Sequence, residues 1–294
     1  MAVQRPFRFG VNMLSSAPRR QWIEKCRRAE QLGFDVISVC DHLGLYAPFP
    51  AMVSAAEATE RVRINTFVLN TPFYNPVLLA REVAGTDLLI DGRMELGLGI
   101  GYVKEEFEAA GLPFPTPGKR IAHLTKTIET LRKLFADPDY KPSAAQPGGP
   151  PLMIAGWGDR LLRLAAEQAD IIALPGGAAA HDGGPLLFSS AEKYDERVAY
   201  VNGLLGARAG QVELNVLYQQ VILPEERDAA IDRFRGHLTP EMIERFDELP
   251  VLLVGTPEEI AQRLQERRER YGISFISVHD HSMEKFAPVI ELLR

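Results

Sequence analysis

A (β/α)8 barrel, the TIM fold, is the architecture this sequence predicts. Short apolar runs alternate with amphipathic helical segments along the whole chain, and eight of those runs read as strands. No break in composition divides the 294 residues, a length near the roughly 250 that such a barrel needs. The expectation is one domain over 1–294, with extra loops at the carboxyl face of the barrel. A doubly wound sheet with an appended domain is the alternative, but it calls for the composition break that the chain lacks.

The elements follow in order. Arg8 to Val11 reads as the first strand, and Arg20 to Leu32 as a helix whose Trp22, Ile23, Cys26, Ala29 and Leu32 form one apolar stripe. Gly33 ends that helix in the C′ role. Val36 to Cys40 is the second strand and Ile64 to Leu69 the third. Pro76 to Ile90 reads as a helix with Pro near its start, Met94 to Leu98 as the fourth strand, and Ile121 to Phe135 as an amphipathic helix. Asp137 to Pro151, rich in Pro and Gly, is a loop. Leu152 to Ala155 is the fifth strand, Leu161 to Gln168 a helix and Ile171 to Leu174 the sixth strand. Pro175 to Ser190, with Gly176, Gly177, Gly183 and Gly184, reads as a mobile surface loop. Tyr194 to Leu205 is a helix, Val212 to Leu223 a long or bent seventh strand, and Glu226 to His237 and Pro240 to Phe246 are helical. Thr256-Pro257-Glu258-Glu259 is a capping box that opens a helix to Tyr271. Ser274 to Val278 is the eighth strand and Met283 to Leu293 the closing helix.

Composition narrows the function classes. With 46% hydrophobic and 24% charged residues, the chain has the balance of a soluble globular protein with a sizeable core. A net charge of −6 argues against a nucleic-acid partner. No apolar run approaches the roughly 20 residues that span a bilayer, and the amino terminus lacks a secretory stretch, so a cytoplasmic protein is expected. Cys26 and Cys40 alone make neither a disulfide framework nor a cysteine-rich zinc site. The basic run Arg263 to Arg270 is broken by Glu266 and Glu269 and reads as a solvated helix face.

Chemistry concentrates where strands end. Asp41 and His42 follow the second strand, and residues just past the carboxyl end of a barrel strand are where catalytic groups project. A carboxylate beside an imidazole handles protons near neutral pH; alternatively Asp41 caps a turn and His42 packs in a loop. Gly97, Gly99 and Gly101 sit at alternate positions at the end of the fourth strand. Bare of side chains, that face admits a flat ring, or simply packs tightly; the full dinucleotide fingerprint is absent. Gly156-Trp157-Gly158 leads into a helix near Asp159, whose free N–H groups make an anion site, with Arg160 and Arg163 close behind. Asn70 to Pro76 faces the same mouth, or is ordinary turn chemistry. His279 and His281 invite a metal reading that only His42 could complete, since His123, His181 and His237 lie away from strand ends; no metal is expected. There is no G-x-S-x-G elbow.

Taken together, these segments resemble the luciferase-like flavin monooxygenase superfamily, and especially its branch that uses the deazaflavin coenzyme F420. The residues that carry the resemblance are Phe34 to His42, Phe73-Tyr74-Asn75-Pro76, Gly92 to Tyr102 with Glu105-Glu106-Phe107, Ala155-Gly156-Trp157-Gly158 and Val254 to Glu259. The resemblance implies a barrel with the ring across the carboxyl ends of the strands, Asp41 and His42 beside it, and His42 as acid/base oriented by Asp41. It implies that Asn70, Gly99, Ile100 and Gly101 line the ring or ribityl chain, that Gly156, Trp157 and Gly158 meet the cofactor phosphate, and that a non-prolyl cis peptide falls at Phe67-Val68. A homodimer and a small-molecule substrate are implied as well.

The chain departs from the sugar-phosphate dehydrogenase pattern of that branch, with Tyr46 in place of a Trp and Tyr102 in place of a Glu. A tyrosine pair suits an apolar or aromatic substrate, with Tyr102 able to donate a proton and Tyr46, His279 and His281 lining the substrate. The expected activity is hydride transfer between bound F420 and an organic molecule. The alternatives are an FMN-dependent monooxygenase using reduced flavin and oxygen, a metal-dependent barrel hydrolase, and a flavin-binding protein without catalysis.

Overall fold

The computed structural model describes residues 5–179 and 186–294. Its centre is a closed ring of parallel strands: β1 (Arg8–Met13), β2 (Val36–Val39), β3 (Arg63–Thr66), β4 (Met94–Gly99), β5 (Leu152–Ala155), β6 (Ile171–Leu174), β7 (Glu213–Tyr218) and β8 (Ile273–His279). The ring closes where β1 lies beside β8, with Arg8 opposite Phe275 and Asn12 opposite His279. Strands buried on both faces read as continuous apolar runs, which is why they stand out in the sequence. Val36, Met153, Ile171, Ala173 and Phe275 fill the interior, while a larger apolar layer packs the outside of the strands against the helices.

Third-strand pairing is interrupted. A non-prolyl cis peptide joins Phe67 to Val68, and Leu69 and Asn70 then rejoin β4 opposite Leu98 and Gly99. The following helix, Pro76–Leu89, is capped by the Asn75 carboxamide, which accepts from Val77 N–H at 3.0 Å and Leu78 N–H at 3.3 Å. A cap of this kind is worth about 1 kcal/mol. The Thr256/Glu259 capping box forms as expected at the start of Pro257–Tyr271.

Two expectations are corrected, and one helix falls where the sequence announced no element. Pro48–Ala58 is a helix, although its Pro-Phe-Pro opening reads as loop; prolines in a first turn lack only N–H groups that have no helical partner. The long seventh strand divides, and Gln220–Ile222 leaves the barrel to pair in parallel with Leu252–Val254. Helices Arg227–Phe234 and Pro240–Glu244 lie between those two strands, and this excursion buries its own cluster around Phe246 and Val251. The loop expected over Pro175 to Ser190 holds a short antiparallel pair, Gly177–Ala179 with Leu186–Phe188; His181, Gly183 and Gly184 lie outside the described residues.

At the amino-terminal ends of the strands, Glu95 is buried between two arginines. Arg8 meets both of its oxygens, at 2.7 and 3.0 Å, and Arg63 donates to Oε1 at 2.8 Å. Burial opposes charge on Glu95, but the guanidinium of Arg8 and then that of Arg63 outweigh it and hold the carboxyl below its usual range. Conserving the closed bottom and opening the top is the usual division of labour in such a barrel.

Candidate active site at the carboxyl mouth of the barrel

Side chains alternate in and out along a strand, so Asn12 on β1 and His279 on β8, in register with one another, both turn inward at the top layer. Cys40, just past β2, joins them by donating its thiol proton to Asn12 Oδ1 at 3.1 Å. Burial pushes that thiol up to about 12, so Cys40 stays protonated and serves as core.

Asp41 and His42 part company. The Asp41 Oδ2 accepts from Asn70 N–H at 2.9 Å and from the Tyr74 hydroxyl at 3.1 Å, tying β2 to the third-strand turn. Burial raises its pKa, and those two hydrogen bonds pull the other way. His42 turns instead to Glu106, whose Oε1 lies 2.8 Å from Nδ1. Glu106 stands on the short helix Lys104–Ala109 that follows β4, with most of its carboxylate buried. The expectation that Asp41 orients His42 is therefore corrected. Tyr102 meets His42 edge to face, ring centroids 5.8 Å apart. Its hydroxyl pKa is raised, first by desolvation and then by the Glu106 charge, so it is a proton-bearing group at neutral pH.

Close packing claims part of the glycine-rich strand end. A Cβ on Gly97 would meet Thr66 O at 1.8 Å, and one on Gly99 would meet Val68 Cγ2 at 2.6 Å. Those two glycines let β4 approach the third strand, and protein fills the face expected to receive a ring. Gly101 differs. It has φ +69°, and a Cβ there would strike the Asn70 Oδ1 at 2.2 Å. That oxygen is buried without a hydrogen-bond partner among the described residues, so Gly101 and Asn70 leave a bare polar cradle. Ile100, between them and β4, is half-buried against the core.

On the opposite side, Gly156 packs tightly on Leu161, and the half-buried Trp157 ring leans on Tyr194 at 5.9 Å. Gly158 opens the helix Asp159–Gln168 with no side-chain cap, and open space surrounds its Cβ position. The first N–H groups of this helix are thus available to an anion.

The remaining predicted lining residues divide. The Tyr46 hydroxyl accepts from Ala17 N–H at 2.7 Å and its ring stands edge-on to Trp22, so Tyr46 braces the β1 and β2 loops. His279, only 6% exposed, stacks on the exposed His281 at 5.6 Å, and its Nε2 lies 3.3 Å from Gln219 Oε1. Its Nδ1 has no partner among the described residues. Burial, reinforced by His281, pushes His279 down to about 4, leaving it neutral. No group of three or more His, Cys, Asp or Glu side chains among the described residues is placed to hold a metal ion. His123 is a brace, with Nε2 3.0 Å from Thr71 O.

Glu106 is the site residue that sequence reasoning left unassigned. Its neighbours Glu105 and Phe107 gave a signal, since Phe107 is fully buried and fixes which way the short helix faces.

Comparison with known proteins places the chain among relatives and solved structures. The F420-dependent glucose-6-phosphate dehydrogenase of Kribbella flavida is 37% identical over 125 residues, which is 40% of this chain and 37% of that relative's length. An F420-dependent secondary alcohol dehydrogenase, solved in complex with an F420-acetone adduct, superposes with a TM-score of 0.77 at 18% identity, over 99% of this chain and 100% of the other. The oxygenating constituent of 3,6-diketocamphane monooxygenase from Pseudomonas putida, solved with FMN, superposes at 0.73 with 14% identity, over 98% and 97%. Those likenesses give the fold. The family model described as luciferase-like monooxygenase matches residues 1–274, and the chain belongs to that family.

Proposed function

We propose that this chain transfers a hydride between coenzyme F420 and a small organic molecule at the carboxyl mouth of its barrel. The observation that carries this reading is the 2.8 Å contact of Glu106 with His42 Nδ1, on a mouth whose far side carries an uncapped helix start. The names of the F420-dependent relatives support the choice of cofactor. The residues present also fit it. Gly101 and the unpartnered Asn70 oxygen offer a polar cradle, and Gly158 offers backbone N–H groups to a phosphate.

When bound, the deazaflavin supplies a carbon centre that accepts or donates hydride, and the protein supplies orientation and proton handling. Asn70, Ile100 and Gly101 would hold one end of it and Gly156, Trp157 and Gly158 the phosphate, while Gly99 only lets the strand end approach the third strand. Glu106 accepts the Nδ1 proton of His42, which fixes the tautomer and leaves Nε2 to take or give the coupled proton. Tyr102 covers one edge of the imidazole and holds a second exchangeable proton. Asp41 positions Asn70 and Tyr74 instead of touching substrate.

Separate titrations with F420 and with FMN test the reading. Saturable F420 binding is expected; tight FMN binding without F420 binding would move the chain to the monooxygenase alternative.

We also propose a homodimer. Val77, Leu78, Leu88 and Leu89 are exposed at the two ends of the helix Pro76–Leu89, with the exposed Arg81–Glu82 pair between them, a face that a second copy would cover. Light scattering expects a dimer mass for the native chain and a monomer mass for a Leu78→Glu, Leu89→Glu variant. No helix among the described residues is long and apolar enough to cross a membrane.

A further inference from the structure

Glu106 holds the His42 ring from a helix too short to hold itself. Lys104–Ala109 has six residues, Val103 gives it no side-chain cap, and Phe107 is its one buried side chain. So short a helix gains little from its own hydrogen bonds, and its direction is set by what packs on it. The aim of Glu106 therefore depends on what grips Phe107. Two rings do so: Phe73 and Phe114 each meet Phe107 edge to face, with centroids 5.0 Å apart. Phe73 ends the third-strand turn Thr71–Phe73, which His123 braces through Thr71 O and Tyr74 O at 3.0 and 3.2 Å. Phe114 lies in the loop between the short helix and the long one, Pro117–Phe135.

What fixes Phe114 is Arg120, whose guanidinium lies over that ring at 4.2 Å. Arg120 has no acid to pair with among the described residues. It is 6% exposed, its one hydrogen bond there runs from Nη1 to Pro115 O at 2.9 Å, and its Nε is buried without a partner. Burial works against its charge, and no carboxylate offsets it. A guanidinium is costly to bury in this way; what it gains in return is the face of a ring and a backbone carbonyl. Both of those groups belong to the same loop. Arg120 thus clamps the loop to the first turn of a 19-residue helix.

We infer that Arg120 and Phe114 are positioning residues for the proton-handling pair. Arg120 pins Phe114, Phe114 holds Phe107, and Phe107 keeps the Glu106 carboxylate on His42 Nδ1. The relay moves no proton and touches no substrate; it turns the rigidity of the long helix into one fixed tautomer on His42. Geometry of this kind matters to rate, since a misplacement of about 1 Å by a remote substitution can cost on the order of 10²-fold. The inference deepens the proposed function and rests on it only for the reaction that His42 serves.

Nitrogen NMR of the His42 ring, recorded without cofactor or substrate, tests the relay. Arg120→Met keeps the apolar stem and removes the charge; Phe114→Leu keeps apolar volume and removes the ring. Both should shift His42 from one tautomer to a mixed population, and Arg120→Lys, which keeps a cation, should restore most of the native spectrum. Leu131→Ala, buried near the far end of the same helix, controls for lost stability and should leave the tautomer native. In turnover with F420, Arg120→Met should lower kcat roughly tenfold with KM within about twofold. In a Glu106→Gln background the same change should cost less than about twofold more, because the residue it acts through is gone. A native tautomer in Arg120→Met, a mixed one in Leu131→Ala, or losses that multiply in the double variant overturns the inference. Should Phe114→Leu not fold, those results still decide it. Because the NMR needs no ligand, failure to bind F420 would remove the proposed function and leave the relay decided.

Discussion

Glu106 Oε1 and His42 Nδ1 lie 2.8 Å apart although 64 residues separate them in the chain. The contact joins the end of β2 to the helix after β4, and it does for the imidazole what a neighbouring aspartate in sequence does not. Replacing Glu106 by Gln keeps the shape and removes the charge. The expected outcome is a kcat lower by on the order of 10²-fold, with F420 affinity and thermal stability close to the native values. Nitrogen NMR of His42 should show a mixed tautomer population in the variant. Unchanged kcat would leave Glu106 a structural neighbour only.

The two glycine sites separate packing from ligand approach. Gly101→Ala forces a Cβ onto the Asn70 oxygen and strains a left-handed backbone, so lost stability of roughly 1–3 kcal/mol is expected together with weaker cofactor binding. Gly158→Ala meets no atom and has φ −76°, so stability should stay within about 0.5 kcal/mol. Its cofactor affinity should nonetheless fall, because a methyl group stands where a phosphate would approach. Denaturation curves and fluorescence titrations of both variants check this; undiminished affinity in Gly158→Ala would place the phosphate elsewhere.

Glu95 tests the opposite end of the barrel. Removing its carboxylate takes the main partner from two half-buried arginines, leaving Arg8 with Glu213 at 3.3 Å and the Phe275 ring at 4.2 Å, and Arg63 with the Met94 carbonyl and Gln146. Glu95→Ala is expected to cost about 2–3 kcal/mol, below the full range for breaking a buried ion pair because both arginines are partly exposed and keep other partners. Urea unfolding measures the loss, and F420 affinity of the folded variant should be unaltered because the site lies at the other rim. A loss below about 1 kcal/mol would mean that Glu213 and Gln146 suffice to hold the two guanidiniums.

The barrel was legible because its strands are buried on both faces, and runs such as Ile171-Ile172-Ala173-Leu174 have no polar interruption to confuse their reading. Helix Pro48–Ala58 was not, since it is apolar on most of its surface and begins with two prolines, so neither periodicity nor a cap announces it. His42 was legible from its place at a strand end. Glu106 was not, because nothing local distinguishes it from Glu105; only the buried Phe107 beside it turns one carboxylate toward the mouth. Gly97 and Gly99 carried a pattern with two physical meanings, ring access or strand approach, and Thr66 and Val68 decide for the second.

His279 gives the fold a pH dependence of definite sign. Its ordinary pKa is 6.5, and burial lowers it to about 4 in the folded chain. Between those values the unfolded chain holds the proton and the folded chain does not, so stability is fully present above pH 6.5 and declines as pH falls toward 4. The total amounts to about 3 kcal/mol. The charged and titratable groups near it are His281, stacked on the ring, and Asp280, which is itself paired with Lys25 and held below its usual range by that partner and the Ser15 hydroxyl, net of burial. Carboxylates such as Glu95 add their own loss at lower pH, so the window between about 6.5 and 5 is the one in which His279 is tested. Urea unfolding at pH 7.5 and pH 5 should show a drop for the native chain, and His279→Gln, able to keep a hydrogen bond to Gln219, should flatten it. Equal slopes in the two proteins would mean that His279 is protonated in the fold after all.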